Sequence, residues 1–409
     1  MSVETSSSRQ PAVVLRPAEA DRVVAGHPWV YERGIQKVQG EPGNGDVVTV
    51  LDPRRRFLGM GFYNARSRLR VRVISHRNAP IDAAFFEQRL GEALALRERR
   101  FPDARSFRLV NAEGDFLSGL IVDKYEDVLV VQISSAGMEQ RKELIFDALE
   151  KIVSPRAIVE RGDIASRQFE GLPELAGIAR GECADEIAFE LDGLRLLATP
   201  FSGQKTGFYL DQRTNHRLVA EEVARRPGAR VLDCFSSTGA FALHAARAGA
   251  GSVHGLDQSR EALMTARRLA DENGVGDRCV FEEANVFDWL KAHSAPGGDD
   301  PAPGQFDVVI LDPPSFTRNR ASVPNALRGY KEIHVRALKL LSPGGLLATF
   351  CCSHHVDAGM FQDVILSAAF DVRRVLRRVA VCSQSLDHPV IPSIPETEYL
   401  KGFLFEVVR

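Results

Sequence analysis

Two adjacent thiols and four short polar side chains carry the chemistry that can be read from this chain. Asp233, Asp257 and Asp312 each stop a short apolar run, and Asn285 stops a fourth. Cys351 and Cys352 close the run LLATF and lead into Ser353, His354 and His355. Any one of the acids alone is most simply a helix N-cap or a turn former. Four in succession, at the ends of runs that alternate with helical text, instead point to one edge of one parallel sheet, where open α/β folds bind ligands. The spacing from Asp233 to Asp257 suits an acid placed on a ribose diol. Between them Ser236, Ser237, Thr238 and Gly239 fill a turn that a pyrophosphate site would build as G-x-G-x-x-G, so an adenosine ligand without phosphate is expected.

Asp312-Pro313-Pro314-Ser315-Phe316 follows another apolar run. Consecutive prolines hold the backbone just past a strand, which suits a site that must grip a planar base. Enzymes that methylate amino groups use D/N-P-P followed directly by an aromatic; here Ser315 intervenes, which counts against that alternative. At the end of LLATF a period of two sends Cys351 and Cys352 to opposite faces, so only one can enter a site. Cys352 is the expected nucleophile, with Asp312 the second catalytic residue. A thiol with a reference pKa of about 8.5 is mostly protonated at neutral pH, so it needs help from His354, His355 or a cation such as Lys205. The polar and aromatic stretch 204–213 reads as a lid, with Thr206, Phe208, Asp211, Gln212 and Arg213 as contact residues and Asp211 also a candidate N-cap.

The elements that must position these residues alternate strand and helix from about residue 200 onward, which implies an α/β domain with a parallel sheet covered on both sides. Seven strands are expected, the final one (402–408) inserted antiparallel because no helix of its own precedes it. Upstream, Ala12 to His76 holds short β-type runs between Pro-Gly, Asn-Gly and Asp-Pro turns, a small β-barrel. The divisions are a disordered leader at 1–10, the barrel at 11–78, a middle α+β domain at 79–185 and the ligand-binding domain at 186–409. A hairpin is expected at 187–191 and 194–198 around Asp192-Gly193.

Charge divides along the same lines. Residues 1–80 hold 13 Lys and Arg against 7 Asp and Glu, a balance of +6, which leaves −8 for the rest of a chain of net charge −2. A basic end points to a polyanion partner, and the alternation in Arg68-Leu-Arg-Val-Arg-Val puts Arg68, Arg70 and Arg72 on one face as candidate phosphate contacts, near Arg54, Arg55 and Arg56. Six cysteines without C-x-x-C or zinc-like spacing imply reduced thiols and no metal. The polar start is no signal peptide and no run is long enough to span a membrane, so the cytoplasm is the expected compartment.

Taken together, these strings resemble the bacterial large-subunit (23S) ribosomal RNA 5-methylcytosine methyltransferases that carry an N-terminal PUA domain. Gln204 through Arg213, Leu232 through Gly239, Leu311 through Phe316, Cys352 through His355, Asp387-His388-Pro389 and Pro395 through Gly402 look like that family's signatures. The resemblance covers the chain from about residue 11. It implies a PUA barrel, a middle domain and a C-terminal class I, Rossmann-like methyltransferase sheet. S-adenosylmethionine is the implied cofactor, held by Asp233, Phe235, Gly239, Asp257, Asn285, Asp312 and the lid; ribosomal RNA is the implied partner. Relatives in the wider RNA 5-methylcytosine group carry a cysteine after the proline of their D-x-P motif, where this chain has Ser315 after Pro314. A non-catalytic RNA-binding assembly factor is the alternative of a different class, and a homodimer is left open.

Overall fold

The alternation after residue 200 builds one seven-stranded sheet. The computed structural model describes residues 10–203, 205–294, 305–317 and 319–408, so residues 1–9 of the expected leader, Gln204, residues 295–304, Arg318 and Arg409 lie outside the described residues. In spatial order the strands are Cys279–Glu283, Ser252–Asp257, Arg230–Cys234, Phe306–Leu311, Leu341–Cys351, Lys401–Val407 and Leu376–Ser383. The first five are parallel, and Lys401–Val407 runs antiparallel to both neighbours, as expected of a last strand without its own helix. The chain starts at Arg230–Cys234, moves outward twice, then jumps to its other side. Strand order therefore reverses beside Asp233, which makes a crevice at the carboxyl ends of Arg230–Cys234 and Phe306–Leu311.

Both faces of this sheet are covered, so its central strands read as unbroken apolar text rather than alternation. Leu232, Val309, Leu311 and Leu347 pack on one face with Ala326, Tyr330, Ile333 and Ala337 of helix Val323–Leu340. Those helical residues recur every three or four positions, the spacing that turns one stripe toward a core. Helix starts follow local chemistry: Ser259, Asn285 and Asp357 each accept a backbone N–H of the first turn. One boundary differs from expectation. The sequence reads as a strand over 370–381, but helix Ala358–Asp371 carries Phe370 and the strand begins at Leu376. Arg373, at φ 57°, makes the turn between them in apolar text that fits either element.

The described chain divides into two compact units, and neither is continuous in sequence. The first comprises Met1–Phe189, Leu197–Leu210 and Leu386–Thr397; the second comprises Glu190–Leu196, Asp211–Ser385 and Glu398–Arg409. Within the first unit lie a six-stranded sheet, from Ala12–Leu15 to Leu69–Ser75, and a five-stranded sheet, from Phe107–Asn111 to Ala176–Gly181. Strands Ile35–Gln39 and Ala176–Gly181 escape sequence reading because IQKVQ and AGIARG lack a run of β-branched or aromatic residues. Hairpin Ile187–Leu191 and Leu194–Ala198 turns through Asp192 and Gly193 at φ 51° and 77°. No described helix is long and apolar enough to cross a membrane.

Arg68, Arg70 and Arg72 do not form a row of three free cations. Arg72 ion pairs with Glu170 at 3.1 Å and Glu113 at 3.6 Å, and Arg70 with Glu32 at 2.6 Å. Of the three, Arg68 is exposed. Alternation places side chains on a face, but here the face is covered by residues 38 to 98 positions away in sequence.

Buried charges close the first unit. Arg97, with no exposed surface, gives Asp115 two bonds of 2.5 and 2.8 Å and donates to the carbonyls of Arg108 (2.7 Å) and Asp387 (2.7 Å). Arg108 gives Asp123 a second fork at 2.5 and 2.8 Å, and its backbone N–H donates to Asp387 Oδ2 at 2.9 Å. Removing one partner of such a pair strands a buried charge, at a cost of about 3–5 kcal/mol. Asp115→Ala is therefore expected to lose about that much in urea unfolding, and Arg97→Met combined with Asp115→Leu less. A double variant as unstable as the single one would contradict this account.

Candidate functional site

The crevice is built by the turn that follows Arg230–Cys234. Phe235 and Ser237 take left-handed φ values of 65° and 50°, and Gly239 takes 82°. For a residue as bulky as Phe235 this conformation costs about 1–3 kcal/mol, so the surroundings must hold it in place. They do so with backbone bonds: Ser236 N donates to Leu256 O at 2.9 Å and Gly239 N to Ser236 O at 2.8 Å. A Cβ on Gly239 would lie 3.0 Å from Ala266 Cβ, and one on Gly255 would lie 2.5 Å from Phe281 Cδ1. Glycine at these positions keeps turn and neighbouring strand close.

Asp233 is buried beneath this turn. Its Oδ2 accepts Ala242 N–H at 3.1 Å, while Oδ1, like the buried Ser236 Oγ, has no hydrogen-bond partner among the described residues. Burial pushes its carboxyl well above the usual range, the charges of Asp312 and Asp257 push further, and the Ala242 N–H opposes them. Asp257 accepts Ser237 N–H and Ser259 N–H, each at 2.9 Å, one on each oxygen. With about four acceptor positions on a carboxylate, it keeps capacity for a diol. Asn285 is exposed, and its Oδ1 caps helix Val286–His293 by accepting from Phe287 and Asp288.

Asp312 follows strand Phe306–Leu311 directly, and its N–H reaches Cys234 O at 3.5 Å. Cys352 lies against the same turn, with Sγ 4.0 Å from Pro313 O, and is half-buried. Cys351 is fully buried in the apolar core of the second unit. Beside them runs a hydroxyl chain that sequence reading missed: Ser315 Oγ to Ser353 Oγ, and Ser353 Oγ to Tyr330 OH, both 3.0 Å. Lys401 was also missed as a site residue. It pairs in register with Cys351, and its ammonium donates to Ser353 O at 2.7 Å and Tyr399 O at 2.9 Å. Burial lowers its pKa, against the opposing pull of Cys351, Cys352 and two carboxylates. Only the antiparallel register of the last strand could have revealed it. His354 and His355 are exposed, His354 with its ring 5.8 Å from that of Tyr399, and Lys205 belongs to the first unit, its ammonium over the Tyr209 ring.

The stretch read as one lid is split. Thr206 and Phe208 belong to the first unit and are buried there. The Thr206 hydroxyl donates to Asp123 and accepts from Tyr125 OH at 3.1 Å, and the Phe208 ring lies 5.0 Å from that of Phe189. Asp211, Gln212 and the half-buried Arg213 belong to the second unit. Asp211 does not cap the following helix; Gln212 occupies that position and makes no cap bond. The Asp211 carboxylate instead accepts Tyr399 OH at 2.7 Å, and its carbonyl accepts Ser385 N–H at 2.8 Å. Gln212 Oε1 accepts from Asn215 at 2.6 Å.

Residues 13–76 match the PUA-like domain family, and residues 115–405 match the family of S-adenosylmethionine-dependent methyltransferases. The chain belongs to this methyltransferase family. Among curated relatives, Ribosomal RNA large subunit methyltransferase I of Shewanella denitrificans is 39% identical over 401 residues, covering 97% of this chain and 99% of its own. The protein of that name from Vibrio cholerae is 38% identical over 404 residues, with 97% and 100% covered. A solved Streptococcus mutans structure described as a SAM-dependent methyltransferase shares the fold, with TM-score 0.80, 19% identity and 97% and 100% covered. A methyltransferase solved in complex with SAH superposes at TM-score 0.81 with 20% identity over the same shares.

The enzyme's cofactor is S-adenosylmethionine, and the crevice fits it. An orphaned carboxylate oxygen on Asp233 and an orphaned hydroxyl on Ser236 are free to meet polar groups of a ligand, and Asp257 retains acceptor positions. A raised folded-state pKa means that the folded protein holds the Asp233 proton more tightly than the unfolded chain. Its contribution to stability is thus fully present below about pH 4, the ordinary carboxylate value, and is lost as pH rises toward the elevated value. Asp233→Asn is expected to raise the melting temperature of the ligand-free enzyme above that range and leave it near wild type in acid. An unchanged slope of melting temperature against pH would assign the dependence to other groups.

Proposed function

We propose that this enzyme transfers a methyl group from S-adenosylmethionine to carbon 5 of a cytosine in large-subunit ribosomal RNA, with Cys352 as nucleophile and Asp312 as the group that grips the base. The observation that carries the reading is the apposition of the half-buried Cys352 thiol and the Asp312-Pro313-Pro314 turn at the crevice. Relatives named for ribosomal RNA methylation over nearly the full chain support the substrate class. The PUA-like domain at 13–76 supports an RNA partner.

S-adenosylmethionine supplies an electrophilic sulfonium methyl. Carbon 5 of cytosine is too weak a nucleophile to take it directly. Cys352 Sγ, as the thiolate, adds to carbon 6, which pushes electron density to carbon 5; carbon 5 would then bond to the methyl carbon as that carbon's bond to the sulfonium sulfur breaks, leaving the cofactor as a neutral thioether. A base then removes the carbon 5 proton, the electrons return to the ring, and the bond from carbon 6 to Sγ breaks to release the thiolate. Asp312, in its protonated form, donates a hydrogen bond to ring nitrogen 3, where negative charge accumulates in the adduct. The target base must leave any stacked helix to reach such a site. Cofactor contacts are assigned to Asp233, Phe235, Gly239, Asp257, Asn285, Asp312 and the 211–213 segment, with Asp257 on the ribose diol.

Two measurements test this. Asp257→Ala should weaken S-adenosylmethionine binding in calorimetry by about tenfold or more, the scale of a lost charged hydrogen-bond pair; unchanged affinity removes Asp257 from the site. RNA carrying 5-fluorocytosine cannot give up a proton after methyl transfer, so a covalent protein–RNA adduct should accumulate on gels. Cys352→Ala should abolish it and Cys351→Ala should retain it. An enzyme that methylates an exocyclic nitrogen would form no adduct with either cysteine present.

A further inference from the structure

The first unit holds a cleft of about 660 Å³ between its six-stranded sheet and the short helix Ser166–Glu170. Tyr31, Arg66 and Arg68 line it from the six-stranded side, and Phe169 from the short helix Ser166–Glu170 beside the five-stranded sheet. Phe169 is 75% exposed, an unusual cost for a phenyl ring with no packing role, and Tyr31 is 39% exposed. The one carboxylate in the cleft, Glu170, is turned inward: its oxygens accept from Asn64 at 2.8 Å, Arg72 at 3.1 Å and Ala136 N–H at 3.3 Å. Arg66 and Arg68 are exposed, and neither guanidinium has an ion pair among the described residues. Arg66 is also held in place, its chain laid across Gly171, where a Cβ would sit 2.7 Å from Arg66 Cδ. Gly171, at φ 73°, ends the helix that carries Phe169, so the same short segment anchors both the cation and the ring that line the cleft.

An exposed ring flanked by unpaired arginines is the chemistry that receives unstacked bases and their phosphates, and a duplex offers no free base face for the ring. We propose that this cleft binds a single-stranded segment of the RNA substrate, one base stacked on Phe169 and the adjoining phosphates on Arg66 and Arg68. The proposal rests on the RNA-methylating reading and adds a second contact region, outside the crevice that holds cofactor and thiol.

The test uses the full-length enzyme and a short fluorescein-labelled single-stranded RNA of mixed sequence, followed by anisotropy across a salt series. Phe169→Ala should weaken binding about tenfold with the salt slope unchanged, the scale of one lost stacking partner, and Phe169→Trp should restore it. Arg66→Gln combined with Arg68→Gln should lower the salt slope by about 1.4, since each phosphate contact on a single strand contributes about 0.7. Unchanged S-adenosylmethionine calorimetry shows that the variants are folded. Wild-type affinity in Phe169→Ala, or equal dependence on Phe169 for a duplex of the same sequence, overturns the proposal. So does a wild-type dimer in sedimentation that Phe169→Ala dissociates without loss of RNA affinity, because the ring would then belong to an interface between copies. Cleft variants that bind and methylate RNA like wild type defeat the cleft alone. A wild-type enzyme that binds no RNA defeats the RNA reading together with it.

Discussion

Arg97 is the constraint on which the first unit depends. A guanidinium with no exposed surface is tolerable only if its donors are met, and here they are met by Asp115 and by the carbonyls of Arg108 and Asp387. Arg108 repeats the arrangement with Asp123, which also accepts the Thr206 hydroxyl. One connected set of charges thus draws in residues from positions 97 to 387. Leu197–Leu210 and Leu386–Thr397 belong to the first unit for this reason, although the sequence around them belongs to the second. A string that reads as one lid is divided by the chemistry of a threonine and two aspartates.

Where the chain returns to the second unit, a different bond marks the place. Asp211 is the first residue after one such segment and Tyr399 the second after the other, and they share a 2.7 Å hydrogen bond. Ser385, the last residue before the later departure, donates its N–H to the Asp211 carbonyl. Three crossing points converge on one aspartate. The crevice, by contrast, stores unfavourable terms: a carboxylate kept from water at Asp233 and a bulky residue held left-handed at Phe235. Strain and unmet polarity of this kind persist where the rest of the fold overrides them, and a ligand that satisfies them binds with corresponding gain.

Most of the second unit was legible in the sequence because parallel strands announce themselves as apolar runs closed by an acid. Asp233, Asp257 and Asp312 lie where such runs end, and the antiparallel last strand followed from the missing helix before it. Pairing across the sheet was not legible. Lys401 beside Cys351, Ser353 between Ser315 and Tyr330, and Asp211 on Tyr399 depend on registers and crossings that no local pattern encodes. In the first unit the arginine row was legible as a face and illegible as a partner list, since Glu113 and Glu170, which neutralise Arg72, lie far along the chain. Asn285 shows the opposite limit: the ordinary capping role, set aside because four strand ends recurred together, is the role its Oδ1 fills.

Asp387 also sets a timetable. Synthesis proceeds from the N-terminus at roughly 5–20 residues per second, and domains generally fold as they emerge. The Arg108 backbone N–H and one arm of Arg97 find their acceptors on a residue 279 and 290 positions further along the chain. The unit that begins first in sequence therefore waits with two buried donors unmet until Asp387 has been made. A chain cut short of Asp387 thus carries an unfinished basic end rather than a free-standing folded domain.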